Sequence, residues 1–312
     1  MYHIPDYSRS MSIKLSEVLD DIGVNEKMIM KMRKAVLLDE TMSTIALRAT
    51  SDNACVYNFG SRSEGSTTPG LKSDADTLIS RDDEFTVIRN WSEWSPILSN
   101  FLMIQDETIP PGYCLLQKLR ADAPLPETIE DGNHFVKDLN GRILHKNTVL
   151  DDISIEGRKR QGPSLASTGV PGVLDCDNVS SFSFKTMPEL AKRGLDELDD
   201  CPWPTEEMKL YSRSAKCFVV GVGYKGSENS DFEWRISTSL VERCLMFNLN
   251  ITQLRCYILM KMIAKTFINL EDEKYVSSFM CKTVLFYCIV SKPRYRWDMD
   301  NLLNLLNYCL FT

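Results

Sequence analysis

Two segments of this chain bring together residue types that can do phosphate chemistry. The first runs Gly60-Ser61-Arg62-Ser63-Glu64-Gly65 and, after a short gap, Ser73-Asp74-Ala75-Asp76-Thr77-Leu78-Ile79. On extended backbone, residues i and i+2 share a face, so Asp74 and Asp76 present two carboxylates side by side. Like charges held that close repel unless a cation lies between them. Mg²⁺ suits such a pair, because it takes one or two carboxylates and completes its shell with water and substrate phosphates. Gly60-Ser61 follows a strand candidate and offers what a triphosphate needs: close backbone approach, N–H donors and a hydroxyl. The second segment supplies a third acid, Asp177, at the start of Val179-Ser180-Ser181-Phe182-Ser183-Phe184, with Asp175 as its rival. Three acids of this kind point to two-metal nucleotidyl transfer, in which the ions activate an attacking hydroxyl and stabilise departing pyrophosphate. An Asp-x-Asp pair alone is commonplace. The signal is the order: strand, Gly-Ser, short gap, then acid-x-acid entering a second apolar strand.

The elements that must carry these residues are legible in outline. Residues 16–47 read as one long helix, with Leu15, Val18, Leu19, Ile22, Ile29, Met32, Val36 and Leu37 at helical spacing and Ser16, Asp20 and Asp21 marking its start. Lys27, Lys31 and Lys34 fall on one face of it. Residues 55–59, 75–79, 113–119, 179–184 and 217–222 are strand candidates. Residues 63–73 and 157–172, rich in Gly, Ser and Pro, read as loops, and 82–94 as polar and mixed. From 236 to 270 and from 276 to 290 the chain is nearly all helix formers. Pro293 ends that run, and residues 299–311 form a last amphipathic helix. The expected fold class is α+β, with the chain divided into residues 1–234 (mixed strands and helices) and 235–312 (helical).

Composition narrows the class. Among 312 residues, 43% are hydrophobic and 25% charged, which excludes wholesale disorder. The net charge of −7 excludes a uniform coat of basic residues for nucleic acid, so any polyanion must meet a local patch. The excess is uneven: residues 233–312 carry a net +3 and the remainder −10. Ten cysteines lie mostly in apolar periodic stretches, with no Cys-x-x-Cys pair, and the three histidines are far from any cysteine pair. Free core thiols and no structural zinc are expected, in a reducing, cytoplasmic setting. Neither a signal peptide at the first residues nor a membrane span is expected. The five tryptophans read as core anchors.

At this point the sequence resembles a known family. Gly60-Ser61 with Asp74-Ala75-Asp76 is similar to the signature of the cyclic GMP-AMP synthase-like receptors, the Mab-twenty-one (male abnormal) family. Phe232-Glu233-Trp234-Arg235-Ile236-Ser237-Thr238-Ser239-Leu240-Val241-Glu242 resembles the family's Trp-Arg-x-Ser-x-Ser-x-x-Glu block. Val276-Ser277-Ser278-Phe279-Met280-Cys281-Lys282-Thr283 resembles its Ser-Ser-Tyr-His-x-Lys-Thr block. The three blocks occur in the family's order, from about residue 16 to the end.

The resemblance implies a bilobal fold: a nucleotidyltransferase core on a long spine helix, packed against an all-helical C-terminal lobe that continues beyond Thr312. It implies that Asp74, Asp76 and Asp177 are catalytic and hold two Mg²⁺ (or Mn²⁺) ions. Gly60, Ser61, Arg235, Ser237, Ser239, Glu242, Lys261, Ser278 and Phe279 are implied to contact nucleotide. The partners implied are ATP and/or GTP, joined into a cyclic dinucleotide second messenger in innate immunity when a ligand, double-stranded RNA among the candidates, is sensed. The spine helix implies Lys27, Lys31 and Lys34 as nucleic-acid contacts. The chain departs from the pattern at Met187 and Phe279, where the family has tryptophan and tyrosine, and at Asn178 after the third acid. The zinc-binding insertion of the vertebrate synthase is absent between Glu242 and Cys256. The alternative left open is a catalytically silent scaffold of the same fold, or a nucleotide- or nucleic-acid-binding protein.

Overall fold

The computed structural model describes residues 5–50, 53–68, 71, 73–150, 159–167, 175–269, 275–292 and 296–312. Two helices open the chain, α1 (Pro5–Asp21) and α2 (Glu26–Ala49). The single helix expected over 16–47 is therefore two. Gly23 takes φ +90, which ends α1, and Asn25 caps α2 by accepting from the Met28 N–H. The first helix also begins well before Ser16, whose side chain is instead buried and donates to the Met299 carbonyl.

The strands and helices that follow are β1 (Cys55–Phe59), α3 (Gly60–Glu64), β2 (Ala75–Ser80), β3 (Phe85–Ile88), β4 (Ser99–Ile104), β5 (Tyr113–Lys118), β6 (Phe135–Lys137), β7 (Ile143–His145), β8 (Lys159–Gln161), β9 (Ser164–Ser167) and β10 (Cys176–Phe184). Then come α4 (Glu189–Asp196), α5 (Glu206–Ser214), β11 (Cys217–Val220) and β12 (Glu233–Ser237). The chain closes with α6 (Ser239–Phe247), α7 (Ile251–Ile263) running into a π-helical turn (Ala264–Ile268), α8 (Ser278–Ser291) and α9 (Leu302–Leu310). Among the described residues, twelve strands form one mixed sheet with the path β1-β2-β10-β11-β12-β5-β4-β3; the β8–β9 hairpin extends from β10, and β6–β7 from β5.

Three differences from the sequence reading follow. The Trp234-Arg235-Ile236 stretch is a strand inside the sheet, so the helical run starts at Ser239. Residues 82–94 contain β3. The loop expected over 157–172 holds the β8–β9 hairpin, turning at Gly162 with φ +61, although 157, 158 and 168–172 lie outside the described residues, as does Pro293.

Register parity assigns the two faces of the sheet. One face packs Val87, Phe101, Met103, Cys114, Leu116, Phe184, Val219 and Trp234. The other packs Leu78, Phe218 and Val220 against Leu240 and Val241 of α6, with Met187 and Leu195. A third cluster joins α1, α7, α8 and α9 through Leu19, Leu254, Tyr257, Ile258, Leu285 and Leu306. Trp234 is 1% exposed and anchors the first face, whereas Trp91 is 43% exposed and belongs to none of these three clusters. All ten cysteines are free thiols. No helix among the described residues is long and apolar enough to cross a membrane.

Candidate functional site

The acids converge because of strand pairing. Strands β2 and β10 are parallel and place Asp76 directly opposite Asp177, while Phe59 at the end of β1 is opposite Asp76 on its other side. Directly opposed residues of paired strands share a face, so the two carboxylates project together. Asp74 precedes β2 by one residue and is exposed. Burial pushes the Asp76 carboxyl up to about 6, with Asp177 and then Asp74 adding like-charge repulsion. The Asp177 carboxyl is likewise raised, by burial and then by Asp74, while the Ser164 hydroxyl of β9 pulls it back by hydrogen bonding.

Gly60 is a steric necessity here. Its φ is +74, and a Cβ placed on it would lie 1.8 Å from Asp76 Oδ2. The chain turns from β1 into the single-turn α3 at this point, and Gly65 (φ +70) closes that turn. Ser61 stands in its first turn. Lys261, near the end of α7, donates to Ser61 Oγ (2.6 Å) and to the Ser66 carbonyl (2.9 Å). Burial lowers the Lys261 ammonium to about 8.

Of these groups, Ser61, Asp74, Asp76 and Lys261 line a cleft of about 640 Å³ that α7 and α8 also border; Asp177 lies outside its lining. Ser61, Ser73, Asp74 and Asp76 line it from α3 and from β2 and its approach; Lys261, Lys265, Ser277 and Ser278 line it from α7, its π-helical extension and the start of α8. Ser277 caps α8 by accepting from the Met280 N–H. Lys265, in the π-helical turn, donates to the Leu71 carbonyl at 3.0 Å. Neither Lys265 nor Ser277 is among the residues that sequence reasoning selects. Ser277 is visible in the Ser277-Ser278 pair, but Lys265 has no motif around it.

Behind the cleft is a buried charge cluster. Lys282 donates to Glu64 Oε1 at 2.6 Å and also to Glu242. Lys282 is 6% exposed and Glu64 2%. Burial alone would lower the Lys282 ammonium, but the two carboxylates outweigh it and hold it above the usual lysine range. Ser66 donates to the other Glu64 oxygen at 3.2 Å. Arg33 of α2 donates to the carbonyls of Glu64 (2.8 Å), Phe247 (2.9 Å) and Met246 (3.0 Å). Arg243 of α6 pairs with Glu40 (2.6 Å) and donates to the Asn58 carbonyl (3.1 Å), fixing the end of β1 to α2 and α6.

The remaining sequence candidates are placed less closely. Arg235 pairs with Val220, itself opposite Ser181, so it shares the acids' face. It lies two strands away, roughly 10 Å across the sheet, and four residues along, roughly 13 Å. Ser237 and Ser239 hydrogen-bond each other at 2.6 Å. Glu242 is engaged by Lys282. Phe279 is 63% exposed and does not line the described cleft. Lys27, Lys31 and Lys34 are exposed on α2.

Among the described residues, no group of three or more His, Cys, Asp or Glu side chains is assembled closely enough to hold a metal ion by itself. The donor set nevertheless suits a magnesium-class ion. Two hard carboxylates on one face, each held above the usual carboxylate range by burial and like charge, leave positions for water and phosphate oxygens. In comparisons with known proteins, no family model matches the chain and no curated protein matches it.

Proposed function

We propose that this chain is a metal-dependent nucleotidyltransferase that joins ATP and/or GTP into a cyclic dinucleotide when it senses a ligand. The observation that carries the reading is the direct opposition of Asp76 and Asp177 on paired strands, with Asp76 and Asp74 lining a cleft that also holds Ser61, Lys261, Lys265, Ser277 and Ser278. Like charges are costly to hold together, and a site that does so is suited to a cation. Asp74, Asp76 and Asp177 would hold Mg²⁺ or Mn²⁺, two ions on this reading; such ions supply Lewis-acid stabilisation to the attacking hydroxyl and the leaving pyrophosphate.

The chain's own residues supply the rest. The Ser61 hydroxyl and the Lys261 ammonium, already hydrogen-bonded together, present donors to triphosphate oxygens. Lys265 adds positive charge on the same wall, and Ser277 and Ser278 add hydroxyls. The bilobal nucleotidyltransferase fold, the innate-immune role, the cytoplasmic setting and the nucleotide contacts of Arg235, Ser237, Ser239, Glu242 and Phe279 rest on the family resemblance. Double-stranded RNA as the ligand is supported by the exposed lysines 27, 31 and 34 on one helix.

A second reading, a nucleotide-binding scaffold without turnover, is favoured by the lack of a closed three-ligand metal set among the described residues. Incubation with ATP, GTP, Mg²⁺ or Mn²⁺ and a panel of nucleic acids, followed by mass spectrometry, separates the two. A cyclic or linear dinucleotide that disappears in Asp76→Asn supports the enzyme. No product with any ligand, together with retained nucleotide binding, supports the scaffold.

A further inference from the structure

We infer that Lys282 is a positioning residue that sets the width of the cleft by holding Glu64 and Glu242 on one buried ammonium. The inference deepens the proposed function and rests on its reading of the cleft as a triphosphate site. Lys282 lies one helical turn after Ser278 in α8, so both are on the same side of that helix. Ser278 lines one wall of the cleft. Glu64 is the last residue of α3, and Ser61, in the first turn of the same short helix, lines the cleft as well. The Lys282–Glu64 contact at 2.6 Å thus ties the two lining elements, α8 and α3, to each other. Glu242 fixes the same ammonium to α6, which packs on the sheet through Leu240 and Val241.

The clamp is stiffened from both sides. Ser66 occupies the second Glu64 oxygen, and Arg33 holds the Glu64 carbonyl together with the C-terminal carbonyls of α6. The Tyr257 hydroxyl of α7 donates to the Ser278 carbonyl at 3.3 Å. With these restraints, loss of the ammonium cuts the tie of α8 to both α3 and α6, and leaves the buried Glu64 carboxylate facing the partly exposed Glu242 with no cation between them, so α8 is free to move away from α3. The Asp74, Asp76 and Asp177 carboxylates are not part of the clamp. Cleft width, and with it triphosphate affinity, is expected to change more than the chemical step.

The test compares the parent with Lys282→Met and Lys282→Arg by two measurements. The first is amide hydrogen exchange without nucleotide. The expected result for Lys282→Met is exchange about tenfold faster in residues 60–64 and 278–282, with β5 and β12 unchanged, and recovery in Lys282→Arg. The second is MgATP affinity or KM, expected to weaken about tenfold in Lys282→Met with kcat within about threefold, again recovered by arginine. Unchanged exchange at both segments, a uniform rise over the whole chain, or a loss confined to kcat overturns the inference. If the parent binds no MgATP, the proposed function fails and the exchange comparison alone decides the clamp. Should Lys282→Met fail to fold, Glu242→Gln, which removes one charge from the partly exposed end of the cluster, is read by the same two measurements.

Discussion

Replacing Gly60 with alanine separates the cost of backbone strain from the cost of crowding the acid site. Gly60 has φ +74, where an L-residue pays about 1–2 kcal/mol. Gly112 provides the control: its φ is +83, and nothing lies within 4 Å of where an alanine methyl would stand. Gly112→Ala should therefore cost about 1–2 kcal/mol and lower Tm by about 2–4 °C, since a chain of this size shifts by roughly 2 °C per kcal/mol. Gly60→Ala carries the same strain, and in addition its Cβ would fall 1.8 Å from Asp76 Oδ2. The contact is to the end of a side chain, which can rotate away. Stability should thus fall about as much as in the control, while the Asp76 carboxylate leaves its place opposite Asp177. Urea denaturation gives the stability of both variants. The Mg²⁺-nucleotide thermal shift and the Asp76 titration, followed by carbon NMR, give the site. The expected outcome is similar stability, with at least a tenfold (about 1.4 kcal/mol) weaker metal-nucleotide response in Gly60→Ala alone. If both variants keep the parental Asp76 titration and metal response, the carboxylate is not held against Gly60 and the reasoning is wrong.

Further outcomes follow from the same geometry. The folded state binds the Asp76 proton more tightly than the unfolded chain does. Its contribution to stability is therefore complete below about pH 4 and is lost as pH rises through about 6. Asp76→Asn should consequently raise metal-free stability at pH 7, by at most about 3 kcal/mol, and flatten that pH window in denaturant titrations; a lower Tm at pH 7 would contradict this. Arg33→Ala removes the donor of the Glu64 and Phe247 carbonyls and one of two donors to the Met246 carbonyl, and should cost roughly 3 kcal/mol by urea denaturation, because several hydrogen bonds to one charged group are lost at once. Phe279→Ala, at an exposed position outside the described cleft, should change stability by less than about 0.5 kcal/mol, checked by the same titration.

How much of this is legible in the sequence depends on whether the cause is local. The Gly-Ser turn is readable because glycine's positive φ dictates it within a few residues, whereas the strand period expected to align Asp74 with Asp76 covers only Asp76, since β2 begins at Ala75. Asp177 is readable because an apolar strand follows it, but its opposition to Asp76 is a pairing across 101 positions that periodicity does not encode. The break at Gly23 is hidden because apolar spacing continues through it, while one glycine and the Asn25 cap redirect the chain. Strand β12 is hidden because Ile236 continues into a helix-forming run; only the pairing with β11 and β5 makes Glu233–Ser237 extended. The charge cluster is least visible. Glu64 lies in the Gly-Ser segment and Lys282 in the Ser-Ser block, yet their contact joins residues 218 positions apart.

The most direct measurement is the thermal shift of the metal-free chain on adding MgATP or MgGTP, repeated for Asp76→Asn and Asp177→Asn. By mass action, a triphosphate at one hundred times its Kd stabilises the folded state by about 2.7 kcal/mol. The parent should show a Mg²⁺-dependent rise in Tm that both variants abolish, although Asp76→Asn starts from a higher Tm in the absence of metal. A parent that does not respond, or variants that respond as the parent does, would contradict the assignment of the paired acids as a metal-nucleotide site.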